Sequence, residues 1–181
     1  MNWKVLLLAC VVAWAAKEWG GEQPLPPGWW WASTRADTAS CQAFSDARPS
    51  ISAPRPISLR CGTTAPGYVA ARFAFPLEAH RGKRVALFAQ VRVEGVEGRA
   101  RLWLRADRPE QMGASYDDMV GRELSGTTDW VTSIVRVDGP ADGSTLFGGI
   151  ALEGKGRVSI SSMQLVSVGP DFEVNAAGQP R

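Results

Sequence analysis

The residue types that could do chemistry crowd into one stretch. Asp107, Asp117, Asp118, Glu123 and Asp129 fall in or beside the connection from 107 to 129, which ends in the polar, glycine-punctuated run "GRELSGTTDW" at 121–130. Paired carboxylates cut a glycosidic bond when two of them face each other several ångströms apart. Carboxylates also ligate calcium, a hard cation that takes several oxygens. No D-x-D-x-D-G run is present to support calcium, and acids on a connection are ordinarily just solvated. The single histidine, His80, sits in "LEAHRGKRV", a loop ahead of a strand, with no G-x-S-x-G elbow to serve. Cys41 and Cys61 lack C-x-x-C spacing, so no zinc set forms. The sequence thus names no catalytic residue, no metal site and no cofactor. Residues 121–130 read as a loop end followed by a turn, with Gly126 supplying permissive backbone angles. Thr127, Thr128 and Asp129 pin that turn through their side chains, and Trp130 opens a strand whose edge it anchors.

A second group of candidates lies on a strand face. In "RARLWLRAD", Leu102 and Leu104 point one way, so Arg101, Trp103 and Arg105 point the other. In "KRVALFAQVRV", Val85, Leu87, Ala89, Val91 and Val93 share one face, leaving Phe88, Gln90 and Arg92 on its opposite. If the two segments pair, Trp103, Arg101, Arg105 and Phe88 make a ligand-binding surface with Trp103 as the stacking platform. Aromatic faces stack on sugar rings and guanidinium groups bond their hydroxyls. The competing account buries Trp103 and Phe88 beneath the 107–129 segment and pairs the arginines with its acids.

The elements that must position these residues are almost purely β. From Ile57 onward, "ISLRC", "YVAARFAF", "KRVALFAQVRV", "RARLWLRAD", "WVTSIVRVD", "STLFGGIAL" and "RVSISSMQLVSV" alternate or carry β-branched and aromatic residues between turn signals. Roughly seven to nine strands with no amphipathic helix predict an all-β fold, an antiparallel jelly-roll β-sandwich. Ala100, Leu102, Leu104 and Ala106 supply one core-facing row and Val85 to Val93 another.

The N-terminus has a different character. "MNWK" precedes the apolar run "VLLLACVVAWAA", and Ala13-Trp14-Ala15 gives a small-x-small cleavage pattern. The run is short of the roughly 20 residues that a spanning helix needs, so residues 1–15 read as a cleavable signal peptide, with an uncleaved anchor as the competitor. A lipoprotein box at Leu7-Leu8-Ala9-Cys10, with Cys10 lipidated, is the less favoured alternative. Residues 16–27 read as a linker, 28–169 as the sandwich and 170–181 as a tail. Within this scheme Trp29, Trp30 and Trp31 plug one end of the core or offer a platform. Of the three cysteines, Cys10 leaves with the signal, and Cys41 and Cys61 form a disulfide in an oxidising compartment. Closing such a loop stabilises by about 3 kcal/mol in the chain-entropy model; two reduced buried thiols are the alternative.

Charge narrows the partners. The formal net charge is +2, and no basic stripe exists to neutralise phosphates, so nucleic acid is not an expected partner. Arginine far outnumbers lysine, which favours planar bidentate contacts or reflects genomic base composition.

The segment from Arg72 to Val168 resembles a bacterial β-sandwich module of no established activity, found alone on exported proteins or appended to regulators and other domains. The resemblance rests on "RGKRV" (81–85), "LWLR" (102–105), "YDDM" (116–119), "SGTTDW" (125–130) and "FGGIALEGKGRV" (147–158). It implies a galactose-binding-like jelly roll of the carbohydrate-binding-module kind and brings no catalytic residues. The chain departs from the pattern at Asp118, where asparagine is expected, at Glu123, where proline is expected, and at Ser159 and Ser161, where tryptophan and aspartate are expected.

Together these readings predict an exported, non-enzymatic binding module whose partner is a glycan or an envelope component, touching the membrane only transiently through its signal peptide. The alternative is a structural or assembly protein of the envelope that meets a protein partner through Trp29–Trp31 or an exposed edge strand. An acid-dependent hydrolase using Asp117, Asp118 or Asp129 ranks third.

Overall fold

Period-two alternation, sustained far longer than expected, builds this fold. The computed structural model describes residues 22–46, 55–175 and 178–180; the expected signal peptide at 1–15, with Cys10, and most of the proline-bearing stretch between the cysteines lie outside them. Nine strands run in chain order as β1 (Glu22–Gln23), β2 (Trp29–Ser33), β3 (Cys41–Asp46), β4 (Ile57–Cys61), β5 (Tyr68–Phe75), β6 (Arg84–Arg108), β7 (Gln111–Asp117), β8 (Leu124–Asp138) and β9 (Thr145–Val168). Two single turns of 3-10 helix, Thr38–Ser40 and Glu78–His80, complete the described elements. Every pairing is antiparallel.

The segments "KRVALFAQVRV" and "RARLWLRAD" do not pair with each other. They are the two halves of β6, a single strand of 25 residues. Strand β9 is nearly as long and stays antiparallel to β6 from Arg84↔Val168 to Asp107↔Thr145. The first half of β6 and the second half of β9 join β8, β4, β3 and β1 in one sheet. The other halves join β7, β5 and β2 in a second sheet. The chain between the halves reads "EGVEG" in β6 and "EGKGR" in β9, and its glycines bend the strands where a hairpin turn was expected. Gly98 pairs with Gly154, both at positive φ (130° and 94°). A Cβ on Gly98 would stand 2.1 Å from the Glu153 carbonyl oxygen, and one on Gly154 would stand 2.0 Å from that of Glu97. Only glycine allows the two backbones to come this close.

The bend also shifts the face parity. Odd-numbered Val85 to Val93 face inward before it, and even-numbered Ala100 to Ala106 face inward after it, all of them buried. They meet Leu59, Val69, Leu146, Ile150, Leu152, Val158 and Ile160 in one core between the sheets. Trp29 packs on the rim of that core with its ring 5.8 Å from Phe73. Cys41 and Cys61 face each other across β3 and β4 and form the disulfide. Buried Arg35 ties the early chain to the bend by donating from Nη1 to the Gly154 carbonyl at 2.8 Å.

Three local expectations change. Glu22 and Gln23, placed in a linker by the sequence, pair with Asp46 and Ser45 as an edge strand. The 107–129 connection is mostly strand, because β7 forms a hairpin with the end of β6. "SGTTDW" does not turn the chain: β8 begins at Leu124 and takes in the whole run with shifted register around Gly126 (φ 68°). Trp130 therefore sits inside a strand, with the Arg92 guanidinium 5.2 Å over its ring.

Candidate functional site: a cleft on the second sheet

The outer face of the second sheet carries the even residues of β2 and β5 and the odd residues of β9 and the second half of β6. The register sets them in rows. Tyr68, Glu153 and Arg99 form one row; Ala70, Ala151 and Arg101 the next; then Arg72, Gly149 and Trp103; and last Ala74, Phe147 and Arg105. Small side chains in the middle, at Ala32, Ala70 and Ala151, leave a trough between larger walls. The resulting cleft holds about 530 Å³ and is lined by Tyr68, Arg72, Arg99, Arg101, Trp103, Arg105, Met112, Tyr116, Asp118 and Glu153 among others. That is within the roughly 300–1,000 Å³ typical of small-ligand sites. Gly149, buried between these rows, admits no side chain, since a Cβ there would lie 2.0 Å from the Ala71 carbonyl oxygen.

Charge on the walls is ordered by ion pairs. Arg101 donates to Asp118 Oδ2 and Glu153 Oε2, each at 3.2 Å, and Arg99 donates to Glu153 Oε1 at 2.8 Å. Arg105 grips Asp107 with two nitrogens at 2.9 Å. Asp107 Oδ1 in turn accepts from the Gly113 amide at 2.7 Å, which fixes the β7 hairpin beside the cleft. Phe147 holds two more guanidinium contacts, Arg72 at 5.1 Å and Arg105 at 5.3 Å from its centroid.

The "YDDM" run shows how one loop serves both core and cleft. Asp117 is committed to structure, accepting from the Met119 amide at 3.0 Å, Arg122 at 2.6 Å and the Arg136 amide at 3.0 Å. Met119 is buried at positive φ (60°), and its sulfur accepts from the Leu102 amide. Tyr116 and Asp118 face the cleft instead. Burial raises the Tyr116 phenol above its ordinary value of 10.0, and the nearby Asp118 carboxylate adds to that.

No family model matches the chain. It is 31% identical over 84 residues to an uncharacterized HTH-type transcriptional regulator, YbfP, of Bacillus subtilis, covering 46% of this chain but only 28% of that protein. By fold it is similar to the C-terminal family 22 carbohydrate-binding module of Clostridium thermocellum Xyn10B, with a TM-score of 0.54 at 13% identity over 84% of this chain and 95% of that one. The xylan-binding domain of Paenibacillus barcinonensis Xyn10C gives 0.53 at 15% identity, covering 82% and 96%. The enzymatically active domain of bacteriophage CBA120 tailspike protein 4 gives 0.61 at 9% identity, but there the match covers 78% of this chain and only 20% of the other.

The chain has the fold of a carbohydrate-binding module. The galactose-binding-like, module-like jelly roll implied by the sequence resemblance is thus the architecture found.

Within this carbohydrate-binding-module fold the expected site residues separate. Trp103, Arg101 and Arg105 come together in the cleft, but Phe88 does not. Phe88 lies on the outer face of the first sheet, 6.1 Å from Phe172, under a tail strap in which Glu173 accepts from Arg84 and Arg136. Its separation from Trp103 follows from both residues belonging to one bent strand. Trp103 is only 7% exposed: it lines the cleft, Tyr116 crowds it, and Asp107 and Asp118 pair with its arginine neighbours. The broadly exposed rings are Tyr68 (48%) and Tyr116 (54%), which the sequence reading passed over. Strict alternation in "YVAARFAF" was a signal for Tyr68, because Val69 and Ala71 face inward. Trp30, 49% exposed, adjoins Arg72 by register.

Proposed function

We propose that this chain is an exported, non-catalytic glycan-binding module whose sugar site is the cleft on the second sheet. The observation that carries the reading is the pair of exposed tyrosines, Tyr68 and Tyr116, lining a trough floored by Ala32, Ala70 and Ala151. Exposed phenol faces stack on the apolar faces of sugar rings, and the ordered guanidinium and carboxylate groups of Arg101, Asp118, Arg99 and Glu153 offer donors and acceptors for ring hydroxyls. Trp103 and Arg105 support the wall behind them. The likeness of the fold to the Xyn10B module, which is described as binding ligand in a cleft, and to a xylan-binding domain agrees with this reading. The Cys41–Cys61 disulfide suits an oxidising compartment, and no described helix is long and apolar enough to cross a membrane.

A hydrolase draws no support from the acids. Asp117 is consumed by structural bonds, and Asp118 and Glu153 clasp Arg101 between them rather than facing each other across open space. A protein partner is the second reading, favoured by Trp30 and Trp31 exposed on the edge strand β2. A glycan-array screen of the full chain, repeated with Tyr68→Ala and Tyr116→Ala, separates the two. Specific signal lost in both variants supports the sugar site, whereas silence on the array together with self-association or capture of a protein through β2 favours the second. Export is checked by mass spectrometry of the secreted protein, with an N-terminus near Ala16 expected and a lipid on Cys10 overturning the cleavage scheme.

A further inference from the structure

Three of the four guanidinium groups lining the cleft are matched by carboxylates. Arg99 and Arg101 share Glu153, Arg101 also takes Asp118, and Arg105 takes Asp107. Arg72 is different: among the described residues it makes no ion pair, and its guanidinium is steadied only by the face of Phe147. A stacked, exposed guanidinium with a free donor fork is already ordered for a bidentate anion.

The positions around Arg72 sharpen the point. It shares a row with Gly149 and Trp103 on the adjoining strands. Gly149 is buried between them, and the open floor beside Arg72 is made by Ala32, Ala70 and Ala151. On the far wall, the buried indole Nε1 of Trp103 has no hydrogen-bond acceptor among the described residues. The cleft therefore offers one uncommitted cation, Arg72, among arginines already paired with carboxylates.

We propose that the cleft takes an anionic glycan, a sugar bearing a carboxylate or sulfate, seated over Ala70 and Ala151 with its anionic group on Arg72. The inference rests on the glycan-binding reading above and adds the ligand class. Arg72 is the specificity-determining residue, and Tyr68 and Tyr116 hold the sugar rings on either side.

The test is calorimetric titration of the full chain with three oligosaccharides of matched length: an oligogalacturonate, a sulfated oligogalactan and a neutral oligogalactose. At low salt at least one acidic ligand binds roughly ten-fold tighter than the neutral one, and the margin shrinks at high salt because the attraction is screened. Which acidic ligand wins identifies the anion. Arg72→Gln abolishes the margin while its melting temperature stays near that of the parent, and Arg72→Lys, which keeps the charge but loses the fork, retains part of it. Equal affinity for all three ligands overturns the anionic class and leaves the glycan-binding reading standing. A margin that survives Arg72→Gln overturns the assignment to that residue. No binding to these three or to a broad glycan panel overturns both readings.

Discussion

The indole of Trp103 and the phenol of Tyr116 lie 6.5 Å apart, inclined at 55°. One ring is buried and the other half-exposed, so the pair works as a backstop and a platform. Tyr116→Ala should therefore weaken glycan binding by about ten-fold or more, since a stacked aromatic contact is worth about 0.5–1.5 kcal/mol beyond the area it buries. Because the tyrosine is half-exposed but covers Trp103, its loss should lower the melting temperature only modestly. Tyr116→Phe should keep most of the affinity if stacking dominates. Titration calorimetry and a thermal melt on each variant decide the matter.

The same phenol predicts a pH profile. Burial and the Asp118 carboxylate both disfavour the phenolate, so its titration moves upward from 10.0. Glycan affinity should accordingly show no loss from Tyr116 ionisation through neutral and mildly alkaline solution. Phenolate absorbance of the parent, minus that of Tyr116→Phe, should give a midpoint above 10.0; a midpoint below it would remove burial as the controlling influence.

Asp37 makes the opposite kind of prediction, at acid pH. Hydrogen bonds from Arg35 first, then Thr63 and Ser40, hold its carboxyl well below the ordinary 3.8. A depressed folded value means that the stabilisation is fully present above 3.8 and is lost as pH falls below it toward the folded value. Thermal melts of the parent and Asp37→Asn should differ most near neutrality and converge in acid. A gap independent of pH would show that the asparagine acts by some route other than charge.

At the bend, Gly98→Ala and Gly154→Ala should each destabilise by more than about 3 kcal/mol, because a Cβ there strikes a backbone carbonyl and leaves strained dihedrals besides. Gly82→Ala is the control. It shares the positive φ (66°) but has nothing within 4 Å of the added carbon, so only the backbone strain of about 1–2 kcal/mol remains. Denaturant unfolding of the three variants measures the difference.

Much of the scaffold was legible because alternation is a local property. The rows Val85 to Val93 and Ala100 to Ala106 were both read correctly as core-facing, and Trp103, Arg101 and Arg105 followed as their outward neighbours. What lay between the rows was not legible. A glycine pair spaced as in "EGVEG" reads the same whether it reverses a chain or bends it, and Gly154 and Gly156, which settle the matter, lie in another part of the sequence. The misplacement of Phe88 stems from that ambiguity alone, since alternation assigns a face only up to the next irregularity. Tyr116 was hidden for a related reason. It belongs to a short hairpin strand whose neighbours Asp117 and Asp118 carry no apolar rhythm, and its face follows from pairing with Arg105 across the hairpin and from Asp117 next to it being held by Arg122 and the Arg136 amide.

The sharing of β6 and β9 between both sheets has a mechanical consequence. Most sandwiches have a seam, a plane of side chains across which one sheet can lift from the other while each keeps its own ladder. Here the two sheets are stitched by continuous covalent backbone along two neighbouring strands, so separating them requires breaking the ladder at the Gly98–Gly154 crossing itself. The cleft face and the strapped face should accordingly melt together as one cooperative unit. Assembly of that unit must wait until chain segments far apart in sequence have met, a topology that slows folding. A ligand gripping Arg72 and Tyr116 on one face would thus be felt as protection of amide hydrogens on the other.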